Sequence, residues 1–349
     1  MDSIRTAILL MNVGSPDYPT KKSVRRFLTQ FLNDKRVIDL PWLLRKLLVN
    51  LIIIPFRIKK STQLYQRLFD EKGSPLIYHS EELKEKLQKK IGEGFSVFLG
   101  MRYGNPGFRD VISEMKSQGF QQIALVPLFP QHAMSTSETA IVAAKAEIKR
   151  QYIKAKIIEV GQFYNHPKFI QAFVSQVKKY DLAKFDHILF SYHGLPNRHI
   201  EKSHPGKIIE SCNCEHSMPD YGRFCYRATC FATTRLIVSE LGIKLSEYTV
   251  AFQSRLSKNW LSPFSDKVLL KKLREGNKNI LVIAPSFVTN CLETVIEIGE
   301  DYRNNFIKNG GKELELVESL NAENIWIEAL VDIILESIQS QNRKHDASF

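Results

Sequence analysis

Two textures alternate along this chain. Short apolar runs, rich in β-branched residues, recur at Thr6 to Met11, Phe95 to Leu99, Gln122 to Phe129, Lys156 to Val160, His187 to Tyr192, Tyr248 to Gln253, Asn279 to Ala284 and Glu313 to Val317. Runs this short and this continuous read as strands buried on both faces. Between them, apolar positions return every three or four residues over Lys22 to Leu32, Ser80 to Ile91, Thr136 to Gln151, Pro167 to Lys179, Thr229 to Leu241 and Ala322 to Ile338, the spacing of amphipathic helices. Strand and helix in alternation predict an α/β fold. The eight strands divide four and four near Val160 to His166, which predicts two Rossmann-like domains, each a four-stranded parallel sheet flanked by helices, with an active-site cleft between them. The expected boundaries are 1–162, 163–315 with a cysteine-rich insertion at 211–230, and 316–349 as a C-terminal helix packing back on the first domain.

The polar motifs gather just after the strands, at Asn12 to Pro16, Arg102 to Pro106, Pro130 to Ser135, His193 to Pro196, Gln253 to Arg255 and Pro285 to Glu293. Open α/β sheets bind ligands at these carboxyl edges. None of the motifs is GxGxxG or a P-loop, so a nucleotide is not indicated. Of nine histidines, only His193 is delivered by an apolar strand into a glycine turn. A hundred positions on, Glu293, Glu297 and Asp301 stand at i, i+4 and i+8, close to one helix face, with no Lys or Arg among them. One imidazole beside a file of carboxylates suits taking protons from a substrate and guiding a divalent cation toward it. A solvated helix face is the structural alternative for Glu297 and Asp301.

The segment Leu40 to Ile58, within a stretch 40–60 that ends in Lys59 and Lys60, is apolar but interrupted by Arg45, Lys46 and Arg57. A spanning helix needs about 20 apolar residues without such charges, so this one does not span. It reads either as a core helix or as an exposed lip, Trp42 and the Leu/Ile rows in a bilayer interface and the cations toward anionic headgroups.

With 349 residues and 44% hydrophobic composition the chain can fill full cores. Its net charge of +12, from 49 Lys and Arg against 37 Asp and Glu, suits nucleic acid, an anionic membrane surface or an acidic small molecule, of which the last two are expected here and nucleic acid is not. Met1 to Arg5 lack the order of a signal peptide, which predicts a cytoplasmic protein, in contact at most with the inner face of the membrane. In a reducing compartment, cysteines packed as Cys212, Cys214, Cys225 and Cys230 suggest a metal site rather than disulfides. Four thiolates suit a [2Fe–2S] cluster or, alternatively, a structural Zn2+. Oligomeric state is not legible.

In the order Leu9 to Pro16, Gly73 to Leu76, Met101 to Pro106, Phe129 to Gln131, Ser191 to Pro196, Gln253 to Arg255, Trp260-Leu261 and Phe287 to Thr294, the motifs span nearly the whole chain, and the set resembles the ferrochelatases. That resemblance implies a chelatase-like pair of domains that inserts Fe2+ into protoporphyrin IX to form protohaem, with release of two protons. It implies His193 and Glu293 at the catalytic site and close to the metal, Glu297 and Asp301 on a polar path for metal or protons along a helix often widened to π geometry, and porphyrin contacts from Val13, Arg57, Arg102, Tyr103, Phe129, Ser135 and Trp260. It also favours iron–sulfur over zinc at the cysteines, and the lip over the core helix. The chain departs from the animal pattern in having Asn290-Cys291 where those relatives carry Asp-His. The competing functions are a cobalt or nickel chelatase of another tetrapyrrole and a non-catalytic haem- or metal-binding protein.

Overall fold

The computed structural model describes residues 5–203, 209–255 and 257–346. Met1 to Ile4, on which the expectation about a leader rested, lie outside them. All eight apolar runs are strands: β1 (Thr6–Asn12), β2 (Phe95–Met101), β3 (Gln122–Pro127), β4 (Lys156–Glu159), β5 (His187–His193), β6 (Tyr248–Gln253), β7 (Asn279–Ile283) and β8 (Glu313–Leu316). They form two parallel four-stranded sheets, ordered β2-β1-β3-β4 and β6-β5-β7-β8. The chain accordingly divides into two compact units. One comprises 1–129, 134–161 and 321–349; the other comprises 130–133 and 162–320.

In the first unit, Leu9, Met11, Phe98 and Leu125 of the sheet bury against Ile112, Met115 and Ala144 of the helices Phe108–Gln118 and Thr139–Arg150. The other side takes the helix Pro75–Lys90 and the final helix Asn324–Asp346, which buries Trp326, Leu330 and Ile334 completely. In the second unit, Leu189, Ala251, Ile280 and Val282 pack on Ile298 and Phe306. The helices Phe108–Gln118 and Ser265–Arg274 carry the 3.6-residue pattern but are not among the helices expected above.

Both strand orders reverse direction once, between β1 and β3 and between β5 and β7. That reversal opens a crevice at the carboxyl edge, where loops leave on opposite sides. Val13 and Phe129 flank the first, His193 and Phe287 the second.

The segment 42–68 is one helical rod in three parts: α-helical Trp42–Leu47, π-helical Leu48–Ile53 and α-helical Ile54–Leu68. It is no core helix. Val49, Ile54 and Ile58 are buried, while Trp42, Leu43, Leu44, Leu47, Leu51, Ile52 and Phe56 are exposed, Phe56 at 83%. Among the described residues no helix is long and apolar enough to cross a membrane.

Candidate active site

In the second unit, β5 delivers His193 beside Gln253, its register partner at the end of β6. The turn that follows is tight because Gly194 N–H donates to the Gln253 carbonyl at 2.8 Å. A side chain at 194 would put its Cβ 2.7 Å from that oxygen, so only glycine fits. The imidazole is half-buried, 6.3 Å between ring centres from Phe287, and its Nδ1 lies 2.6 Å from the Gly194 carbonyl oxygen. A carbonyl only accepts, so Nδ1 carries the proton and Nε2 presents its lone pair. Trp260 pairs with Pro196 across a short bridge and covers the same turn.

From β7 the chain runs through Phe287 into the helix Glu293–Tyr302, which is π-helical throughout. Its backbone is tied to the histidine side by Gln253, whose Nε2 donates to the Glu293 carbonyl at 3.3 Å while its Oε1 accepts from Ser191 at 2.7 Å. Burial and the neighbouring Glu293 carboxylate push the Cys291 thiol well above its usual value. Glu297 is committed to its own neighbours: Oε1 accepts from Ser254 N at 2.9 Å and Tyr302 Oη at 2.8 Å, and Oε2 from Ser254 Oγ and Gln253 Nε2. Asp301 is exposed at the far end of the helix. Thus His193, Glu293, Glu297 and Trp260 share one edge of this sheet, and Asp301 stands outside it.

The first unit has its own polar cluster, centred on Asp34, for which the sequence offered no signal. Its Oδ2 accepts from Arg102 at 2.5 Å, Thr139 at 2.6 Å and Tyr103 at 3.0 Å, and its Oδ1 from the Arg36 amide at 2.8 Å. Burial opposes the charge, but these donors outweigh it and hold the Asp34 carboxyl below its ordinary value. Arg102 stacks on Tyr103 and also donates Nε to Thr139, which leaves Nη1 without a partner among the described residues. Val13 O accepts from Tyr103 N, and Gly14, at φ +104°, leaves room for the Tyr103 carbonyl 1.8 Å from where a Cβ would stand. Phe129 and Ser135 are half-buried after β3, Ser135 in the π-helix Met134–Glu138. Arg57 is exposed on the 42–68 rod and does not join the Asp34 cluster.

The four cysteines are buried in one neighbourhood of the second unit. Arg227 enters it, Nη1 donating to Cys214 Sγ at 2.8 Å while Nη2 pairs with Glu215. Burial and the neighbouring Cys212 push Cys214 up, and burial pushes Cys225 and Cys230 up; Cys212 goes down, hydrogen bonds from Tyr221 and Cys214 outweighing burial. Among the described residues, no three His, Cys, Asp or Glu side chains are arranged to hold a metal ion. The donor chemistry fits an iron–sulfur or zinc centre; the arrangement of the donors does not.

The Ferrochelatase family model matches residues 5–338. The chain is 39% identical over 341 residues to a ferrochelatase of Coxiella burnetii (strain Dugway 5J108-111), covering 96% of this chain and 94% of that one. It is 40% identical over 337 residues to a ferrochelatase of Legionella pneumophila (strain Paris), covering 96% and 100%. Among solved structures, SirB from Bacillus subtilis with Fe3+ superposes with a TM-score of 0.55 at 11% identity over 96% of each chain, a likeness of fold.

Proposed function

We propose, from the premise that this chain belongs to the ferrochelatase family, that His193 and Glu293 are the residues that carry its reaction. The enzyme is a metal chelatase, a lyase that inserts Fe2+ into protoporphyrin in haem synthesis. Two pyrrole N–H protons leave as the ion sheds water and binds the four ring nitrogens, so the site must accept protons beside a cation. His193 accepts through Nε2. The observation that carries this is the 2.6 Å contact of Nδ1 with the Gly194 carbonyl, which holds the proton on the far nitrogen. Glu293, at the start of the π-helix, supplies the negative charge that steadies the imidazolium and the arriving ion.

In this reading Val13, Arg57, Arg102, Tyr103, Phe129, Ser135 and Trp260 contact the macrocycle, and the free Nη1 of Arg102 supports a carboxylate contact. The exposed apolar rod at 42–56 supports peripheral contact with anionic membranes, with the exposed Lys59 and Lys60 beyond it meeting headgroups, whereas Arg45 is buried and spends its guanidinium on the Asn33 and Leu40 carbonyls. A [2Fe–2S] centre on Cys212, Cys214, Cys225 and Cys230 completes the proposal; what supports it is four buried thiols within nineteen residues, and it requires Arg227 to leave Cys214. Iron and acid-labile sulfide in protein purified without oxygen test it, and zinc or neither would remove it.

The deciding experiment is anaerobic metal insertion with protoporphyrin and coproporphyrin, each against Fe2+, Co2+ and Ni2+. Fastest turnover of Fe2+ into protoporphyrin, lost in Glu293→Gln, is the expected result; turnover unaffected by that substitution would remove Glu293 from the mechanism.

A further inference from the structure

Glu297 is the residue of the carboxylate file best placed to contradict its apparent purpose. A carboxylate has about four acceptor positions. All of them here face donors of the protein itself: Ser254 N, Ser254 Oγ, Gln253 Nε2 and Tyr302 Oη. Tyr302 is partly buried, and burial together with the Glu297 charge pushes its phenol far above the usual range, so it remains a donor. The turn these bonds hold is unusual. Ser254 stands at φ +62°, in the left-handed region that non-glycine residues avoid. The preceding residue, Gln253, is 1% exposed and touches both halves of the proposed pair: its carbonyl accepts from Gly194, next to His193, and its amide donates to the Glu293 carbonyl.

We propose that Glu297 is a positioning residue that braces the Gln253–Ser254 turn and through it sets His193 and Glu293 relative to each other, rather than a stage on a path for the ion or for protons. The proposal rests on the reading of His193 and Glu293 given above. Ser254 keeps its left-handed conformation because Glu297 binds both its amide and its hydroxyl. Gln253, held in line by the same carboxylate, is then the strut between the end of β5 and the start of the π-helix.

Steady-state insertion kinetics with Fe2+ varied distinguish a brace from a carrier. In Glu297→Gln the amide oxygen can still accept from Ser254 N and Tyr302 Oη, and the new NH2 can donate to Ser254 Oγ. Only the long bond from Gln253 is lost, so kcat and the KM for Fe2+ should both stay within about threefold. Glu297→Ala removes the brace, and kcat should fall about 10- to 100-fold with KM for Fe2+ changed less than about twofold, the effect of misplacing a reacting group. Adding Ser254→Gly to Glu297→Ala should recover about threefold or more in kcat, because glycine holds a positive φ without help. Circular dichroism and porphyrin fluorescence quenching confirm that each variant is folded. If Glu297→Ala does not fold, Tyr302→Phe and Ser254→Ala supply the graded series, kcat falling in each and further in the pair at constant KM. A KM for Fe2+ raised about tenfold in Glu297→Gln, or no recovery from Ser254→Gly, overturns the proposal. Wild-type turnover in His193→Ala would instead overturn the reading beneath it.

Discussion

One proton decides which face of His193 can work. Because the Gly194 carbonyl fixes it on Nδ1, His193→Ala should lower insertion about 10²- to 10⁴-fold, the usual loss for a general base, while porphyrin quenching stays near wild type. Retained turnover in the anaerobic assay would refute this. A second histidine, His187, works through stability. It is buried at the start of β5, and desolvation, aided by the Lys272 charge, lowers its pKa from 6.5 to about 4. Protonation therefore favours the unfolded chain. The stabilising contribution is fully present above pH 6.5 and is lost as the pH falls through 4, to the extent of up to about 3 kcal/mol. His187→Gln should flatten urea-denaturation stability across that window relative to wild type. At this scale the sequence marks much of the candidate site: a strand ending in His-Gly singles out His193, and the carboxylate spacing singles out Glu293. It could not show Asp34 or the saturation of Glu297, because their partners, Arg102, Thr139 and Ser254, come from distant turns.

Elements were legible where period and length agreed. The eight strands announce themselves by unbroken apolar runs between turn residues, and their ends fall within a few positions of those expected. The π-helix Glu293–Tyr302 is different in kind, since an i, i+4 row of acids looks the same whichever helix bears it. Its signature is the bond from Tyr302 to Glu297, five residues back, a spacing that an α-helix turns away from its own face. Deleting Gly299 should let the segment return to α geometry, break that bond and abolish insertion, while the melting temperature changes by less than about 4 °C, equivalent to about 1 kcal/mol in a domain of this size. A deletion variant with wild-type kcat would show the widening to be incidental. The rod at 42–68 makes the opposite case: its composition alone allowed core or surface, and burial settles the matter. Leu47→Ser, Leu51→Ser and Ile52→Ser together should abolish flotation with anionic vesicles at little cost in stability, these side chains being exposed already. Unchanged flotation would dismiss membrane contact through this rod.

For the molecule as a whole, connectivity was legible in part. The expected boundaries already send a C-terminal helix back to the first domain, but they do not foresee that 130–133 joins the second unit and so breaks the first into three stretches of chain, the last of them beyond residue 320. Trp326 is fully buried in that last stretch, on a helix that packs against β3, β4 and the helix Pro75–Lys90. Trp326→Ala should therefore destabilise the protein by about 3–5 kcal/mol, as large core truncations do. Calorimetry showing a loss under about 1 kcal/mol would mean that the final helix is dispensable.

The return of the final helix also sets a timetable at the ribosome. Strands β1 to β4 are made first, yet the helix that completes the cover of one of their faces is made last, after the whole of 162–320 has emerged. At about 5–20 residues per second, the N-terminal sheet waits on the order of ten to thirty seconds with apolar surface open. The second unit, nearly continuous in sequence, has no such wait. Synthesis thus reverses the common N-to-C order of domain folding, and arrested chains ending at residue 320 should resist protease in their later half while their first half is still cut.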